Sequence, residues 1–391
     1  MGDLHHPRGV RWPARAGAWL AIGTSPVAVF SGAGIARSYG DAPEPLVLLL
    51  AALVAIVLLL VLGVRGVQPP HGEGTALAGL LSRYVGGRTM TALSVLLAAA
   101  MLGWTGYYLG LAANALEGLS GANRAWFLLP LVVLGVVATS RGLARWNLVA
   151  VVLGSVFLVA MLWIGWQFAP EPSATVGAPP AMYGGAMVAF VGYVAVFSVR
   201  SPDFSVGLAR RRDLVICALF LVVPAALLMA IGGGVQLALG EQPIEEWVQG
   251  STWGSILLLV SAVAPILSAL HTGTLAAVSL VRERWSPLLV GALMGAAAAL
   301  VALFRIEQLT LSWLSVLAAA LPPIVVPLGW EAWARGRGAR ARRVPLLTWL
   351  PAAVVGVVLA AFGQPTAAAV GIVIAALATA VWRGKGSRER V

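Results

Sequence analysis

Trp104 and Tyr108 stand four residues apart in the stretch Leu102-Gly103-Trp104-Thr105-Gly106-Tyr107-Tyr108. On a helix that spacing puts both rings on one face, and Gly103 and Gly106 leave open space beside the indole. Such a wall suits a flat heterocycle, since stacking on an aromatic side chain is worth ~1–3 kcal/mol per base. The plainer alternative is ordinary aromatic packing or an interfacial belt, where most of the fifteen Trp residues belong. His271, beside Ser268 and Thr272, is the second point of interest. A lone His is more often a satisfied hydrogen-bonding residue than a proton relay. No Ser/His/Asp arrangement or metal-ligand cluster accompanies it, because His5, His6 and His71 fall in tail and loop. The acids and bases an enzyme would need are missing.

Positioning these side chains falls to a chain of 391 residues that is 60% hydrophobic and 10% charged, with a mean hydropathy of +0.90. Soluble domains are about 45–50% apolar and 25% charged, so this composition excludes that class. Each crossing of a ~30 Å hydrocarbon layer takes about 20 residues. The apolar runs place spans near 16–37, 45–64, 89–116, 125–140, 146–168, 181–199, 213–238, 252–281, 287–304, 309–331, 344–362 and 366–382. About twelve transmembrane helices follow. Trp104 then lies some fifteen residues into its span, or ~22 Å at 1.5 Å per residue, away from the inner interface. The single Cys217 excludes an internal disulfide. Residues 1–15 are polar and basic and read as a cytoplasmic tail rather than a secretory leader.

A net charge of +11 could suggest nucleic acid, but its distribution argues against that partner. With the N-terminus inside and the spans alternating, Arg37, Arg124 and Arg305 are the only ones of the 26 basic residues that fall outside. Arg8, Arg11, Arg15, Arg65, Arg83, Arg88, Arg141, Arg145, Arg200 and Arg210–Arg212 all fall inside. So do Arg282, Arg284, the Arg335–Arg343 cluster, Arg383, Lys385, Arg388 and Arg390. Asp41, Glu44, Glu117, Glu171, Glu241, Glu245, Glu246 and Glu307 fall outside. This is the positive-inside pattern of an inner-membrane protein with both termini cytoplasmic.

The loops are short and leave no room for an extramembrane domain. The apolar Leu77–Leu81 reads as a short helix on the inner face. The linker 334–343, with Arg335, Arg337, Arg340, Arg342 and Arg343, reads as a flexible basic segment facing anionic lipid. It separates a ten-span core, 16–333, from two accessory spans in 344–382 and a tail at 383–391. Within the core two halves are expected, about 16–168 and 181–333. Span 1 carries Ser31-Gly32-Ala33-Gly34, and span 6, its counterpart, reads as short and ending in Arg200-Ser201-Pro202-Asp203. Interruptions at matching places point to an inverted-repeat transporter with its site at the midplane. Small residues that simply let helices pack closely are the competing explanation.

The stretch Leu81-Ser82-Arg83-Tyr84-Val85-Gly86-Gly87, followed by Gly103-Trp104-Thr105-Gly106, resembles the nucleobase–cation symporter family of cytosine, purine and hydantoin permeases. Ser201-Pro202-Asp203-Phe204 and the double proline after Ala318-Ala319-Ala320-Leu321 are further similarities, spread over about residues 16–333. The resemblance implies a LeuT-type fold of five plus five inverted helices with two accessory spans. It implies alternating-access import of a small neutral nitrogen heterocycle, with no organic cofactor. Phe30, Ser31 and Gly32 fall where the family's first helix unwinds, and Trp104 would stack on the ring. Tyr108, Phe197 and Ser198 would complete the pocket, with the hydroxyls reading the heterocycle's edge. The family's span 8 sodium ligands are not matched, since Ala264 and Pro265 stand in their place. Ser261, Ser268 and Thr272 remain as oxygen donors for Na⁺, and a proton carried by His271 is the alternative coupling ion. An amino-acid carrier of the same fold and a transport-inactive membrane sensor are the other functional readings.

Overall fold

The computed structural model describes residues 9–140, 146–168, 180–281 and 284–388. The expectations for His5, His6, Arg8, Arg141, Arg145, Glu171, Arg282 and Arg390, and for the side chains of Lys385 and Arg388, lie outside the described residues. Span 1 is made of α1 (Ala16–Gly23) and α2 (Pro26–Tyr39), and span 2 is α3 (Pro45–Gly66). A short α4 (Leu77–Tyr84) precedes spans 3 to 5, which are α5 (Gly87–Ser120), α6 (Ala125–Thr139) and α7 (Asn147–Gln167). Spans 6 and 7 are α8 (Pro180–Ser205) and α9 (Arg211–Leu239). After the small α10 (Ile244–Gln249) come spans 8 and 9, α11 (Thr252–Leu280) and α12 (Pro287–Leu303). Span 10 is α13 (Thr310–Ala320) with α14 (Pro322–Gly336), and α15 (Leu350–Ala361) and α16 (Ala367–Arg388) are the accessory pair.

Among the described residues nine helical segments are long and apolar enough to cross a membrane. Three shorter apolar helices, α6, α12 and α15, fill the places of the other expected spans. The protein is a multi-pass, all-α membrane protein. Its helices are sorted for lipid rather than water: Leu46, Leu49, Leu50, Leu53 and Val57 of α3 face outward, while Ala51, Ala55 and Gly63 face the bundle. Small residues at the interface let backbones approach, which is how helices associate without water to drive them together.

The packing carries a twofold pattern. Helix α3 lies along α8, and α2 along α9, so exchanging the first five spans with the second five turns one pair into the other. The same exchange maps the α5–α11 pair onto itself and matches α13 against α8 with α7 against α1. At the α2–α9 crossing a Cβ on Gly32 would lie 1.8 Å from the Met229 carbonyl oxygen, and one on Gly232 would lie 2.0 Å from that of Val29. The two glycines thus face each other's helix backbones reciprocally.

Two expectations about interruptions need correction. Span 1 breaks at Thr24–Ser25, not at 31–34. Pro26 has no N–H to bond the Ile22 carbonyl, Ser25 is extended, and its Oγ caps the new helix by accepting from Val27 N at 3.2 Å. Residues Phe30–Gly34 sit inside an unbroken α2, where glycine serves contact rather than unwinding. Span 6 runs on to Ser205 without a break. Pro202 frees the Ser198 carbonyl, and the Ser201 hydroxyl donates to that oxygen at 2.9 Å.

Every ion pair among the described residues joins groups that alternating spans place on the same side. Arg11–Asp213, Arg200–Asp203 and Arg335–Glu331 gather at the arginine-rich end, and Arg37–Glu245 and Arg124–Glu307 at the acidic end. At the arginine-rich end Leu77, Leu80, Leu81 and Tyr84 of α4 are buried. The Tyr84 hydroxyl donates to Glu73 at 2.6 Å, and burial, then that carboxylate, push its pKa up to about 12. The basic linker expected to be flexible is held at several points. Glu331, fully buried, accepts from Arg335 Nε at 2.8 Å and from the Arg342 backbone at 2.7 Å, and it also pairs with Arg383.

Candidate functional site

A cluster of buried rings surrounds the span 1 break. Trp104, fully buried, stacks on Tyr108 at 5.5 Å between centroids with the planes 19° apart. Tyr193 meets the same indole edge-on at 6.1 Å, and Phe197 lies 6.3 Å away. Two hydroxyls tie this cluster to the break: Ser25 Oγ donates to the Tyr108 oxygen at 3.1 Å, and the Tyr193 hydroxyl donates to the Ile22 carbonyl, which also accepts from Ser25 N at 3.1 Å. On the acidic side Tyr107 and Thr310 share a hydrogen bond of 2.8 Å. The Trp104 indole N–H has no partner among the described residues. A buried donor without a partner costs about 1–3 kcal/mol, so it is a natural handle for a bound acceptor.

The space expected beside the indole is filled. A Cβ on Gly103 would meet the Trp313 ring at 2.4 Å, and one on Gly106 would meet Val301 and the Ala298 carbonyl at 2.8–2.9 Å. Small residues again serve helix contact.

The sequence-identified residues therefore separate into groups. Trp104, Tyr108 and Phe197 come together at the break. Ser198, one residue on, donates back to the Ala195 carbonyl at 2.7 Å, and Ser31 to that of Val27 at 2.6 Å. Ser261 bonds the Leu258 carbonyl at 2.9 Å and Thr272 that of Ser268 at 2.7 Å, each within α11. Ser268, His271 and Thr272 line a different space, a cavity of about 280 Å³ at the arginine-rich end between α1, α7, α8 and α11. Phe30 borders a cavity of about 500 Å³ at the acidic end, with Arg37, Glu117, Glu245 and Glu307. The aromatic cluster lines neither cavity.

Thr24, Ser25, Pro26 and Tyr193 are the site residues that sequence reasoning missed. A hydroxyl residue followed by proline is the ordinary signature of a helix start, and Thr24-Ser25-Pro26 carried it. Nothing in the α8 sequence marks Tyr193.

Mhp1, a nucleobase-cation-symport-1 family transporter in a closed conformation with bromovinylhydantoin bound, matches this structure with a TM-score of 0.73 at 19% identity. The match covers 97% of this chain and 94% of that one. The chain has the LeuT-type fold. The family resembled in the sequence is thus also the family of this structural neighbour. The inward-facing form of Mhp1 matches the LeuT-type bundle at 0.66 and 17% identity, over 97% and 93% of the two chains. A Na⁺-coupled sialic acid symporter in a substrate-bound outward-open state matches at 0.56 and 16%, over 95% and 89%. No protein-family model and no curated protein matches the sequence. The structural neighbours with this LeuT-type fold are transporters of small solutes.

Proposed function

We propose that the protein is a secondary active transporter that imports a small neutral nitrogen heterocycle, a cytosine- or purine-like nucleobase or a related compound. Import proceeds by alternating access coupled to Na⁺ or H⁺. The observation that carries this reading is the stacked Trp104–Tyr108 pair hydrogen-bonded to the Ser25–Pro26 break. A planar ring can slide between the two aromatic faces or replace one of them, and the free indole N–H awaits an acceptor. Neutral cargo fits a centre with no charged side chain among the rings. The 16–333 core would do the work, with the two accessory helices packed on span 10, the arginine-rich end facing the cytoplasm and the Arg335–Arg343 segment near anionic lipid. Nucleic acid has no place in this scheme. The filled centre and the two separated cavities fit an occluded state, in keeping with the higher match to the closed form of Mhp1.

One observation favours a second reading, a transport-inactive sensor: the centre is packed without a chamber for a ligand. Binding and uptake in Trp104→Ala and Trp104→Phe separate the two. The transport reading expects proteoliposome uptake of cytosine, uracil, hypoxanthine or hydantoin, weakened about tenfold or more in Trp104→Ala by the loss of ~1–3 kcal/mol of stacking and partly kept in Trp104→Phe. Binding by wild-type protein without uptake would leave the sensor.

A further inference from the structure

The cavity at the arginine-rich end is built like a binding site. Its α11 wall presents Ala264, Leu267, Ser268, His271, Thr272 and Leu275, one helical face in which three polar residues interrupt an apolar stripe. Opposite it, α1 offers Ala18 and Ala21, with Ala14 and Arg15 contributed by the turn before it. Phe204 and Trp146 supply flat apolar surface. Small-molecule sites have this make-up, mostly apolar walls with a few placed polar groups.

Two features point to a ligand rather than a packing gap. Ser268 is 3% exposed and its Oγ has no partner among the described residues. The neighbouring hydroxyls of Ser261, Thr272 and Thr274 all bond carbonyls of their own helix. Asp203, also on the wall, is occupied by Arg200 at 2.7 Å and by the Leu77 backbone N–H at 2.9 Å, so the site has no free carboxylate to select a cation.

Ala21, Ala150 and Ala264 on the cavity wall are buried against one another. Three residues beyond Ala21 is the Thr24–Ser25 break. On α7, Gly154 holds back from Thr24, since a Cβ there would lie 2.6 Å from its Oγ1. Phe204 on the cavity wall lies 6.1 Å from Phe197, which lies 6.3 Å from Trp104, so a single ring stands between cavity and centre, and α1 is a two-turn helix that ends at the break.

We infer that this cavity is a second binding station for the transported heterocycle, a release site that takes the ring from the Trp104 centre once α1 swings away from Ala150 and Ala264. Ser268 Oγ and the His271 imidazole each donate or accept, so together they read one edge of a neutral ring, while Phe204 and Trp146 cover its faces. A volume of about 280 Å³ holds one or two fused rings. The inference rests on the heterocycle-transport reading above.

The test is the stoichiometry of tritiated cytosine, uracil, hypoxanthine and hydantoin on purified full-length protein in nanodiscs. Wild-type protein is expected to bind two equivalents of at least one of these probes. Ala18→Phe, which fills the cavity from its α1 wall, should bind one, and the remaining site should disappear in the double variant with Trp104→Ala. Ser268→Ala adds no bulk and keeps the test in hand if the phenylalanine variant does not fold. It should weaken one of the two sites about tenfold and leave the other unchanged. One equivalent in wild type, abolished by Trp104→Ala and untouched by both cavity variants, overturns the release site and leaves the transport reading standing. No binding of any probe to wild-type protein overturns both.

Discussion

Spans 1 and 6, counterparts in the two halves, each carry the dipeptide Ser-Pro, and these two copies do opposite things. In span 1, Ser25 is extended and Pro26 begins a new helix. In span 6, Ser201 and Pro202 stay inside a continuous helix. Proline removes one backbone hydrogen bond in both cases. The difference is where the serine hydroxyl goes. Ser201 donates back to the carbonyl that proline orphaned, and the helix is repaired. Ser25 Oγ instead caps Val27 N and donates outward to Tyr108, and the Ile22 carbonyl, which Pro26 cannot bond, accepts from Ser25 N and from the Tyr193 hydroxyl of span 6. The break is thus braced by side chains of other spans, whereas the continuous helix is served by its own serine. The unbroken helix supplies the residue that holds the broken one open.

Four substitutions test this contrast and the packing around it. Gly32→Val should have the largest effect. Its first methyl-bearing carbon would lie 1.8 Å from the Met229 oxygen, in backbone that cannot yield, so α2 and α9 would have to part. Overpacking of this kind costs about 3 kcal/mol or more. The yield of monodisperse protein in size-exclusion chromatography should collapse, and normal yield would mean the crossing is looser than described. Pro26→Ala comes next. It restores an N–H that can bond Ile22, so span 1 should run straight. If transport must reopen that bond, about 1.4 kcal/mol slows uptake about tenfold, with the folded yield unchanged. Unaltered uptake would show that the break is dispensable.

The smallest effects are the most discriminating. Tyr193→Phe and Ser201→Ala each delete one hydroxyl that donates to the carbonyl four residues before a proline. Each should lower stability by about 1 kcal/mol, a shift of about 2 °C in melting temperature. Only Tyr193→Phe should change substrate affinity, because it alone sits against Trp104. Equal effects of the two on binding would erase the contrast between the halves.

Most of the architecture was legible in the sequence. The spans come within a few residues of the helices because apolar runs and flanking arginines obey the membrane directly, as α3 and α11 illustrate. The aromatic pair at 104 and 108 also survives, since a spacing of four fixes a helix face whatever the surroundings. The place of the interruption was not legible, because the Ser31–Gly34 glycines do not break the helix. Within lipid, Gly32 is tolerated in helix and is needed for contact with α9, whereas proline after a capping serine is what stops the helix. Tyr193 could not be found, because its role depends on a carbonyl 171 residues away in sequence. The division between Trp104 and the Ser268–His271 face was equally hidden, since both lie on long apolar helices and only their packing shows that they border different spaces.

The most direct test of the account is a thermal-shift screen of the purified protein against cytosine, uracil, hypoxanthine and hydantoin, with common amino acids as controls, each with and without Na⁺ and at two pH values. A ligand at 100 times its dissociation constant should stabilise the protein by about 2.7 kcal/mol. A heterocycle transporter built on Trp104 should show a shift for at least one heterocycle, none for the amino acids, and loss of the shift in Trp104→Ala. Stabilisation by an amino acid alone, or by a heterocycle equally well in wild type and Trp104→Ala, would contradict it.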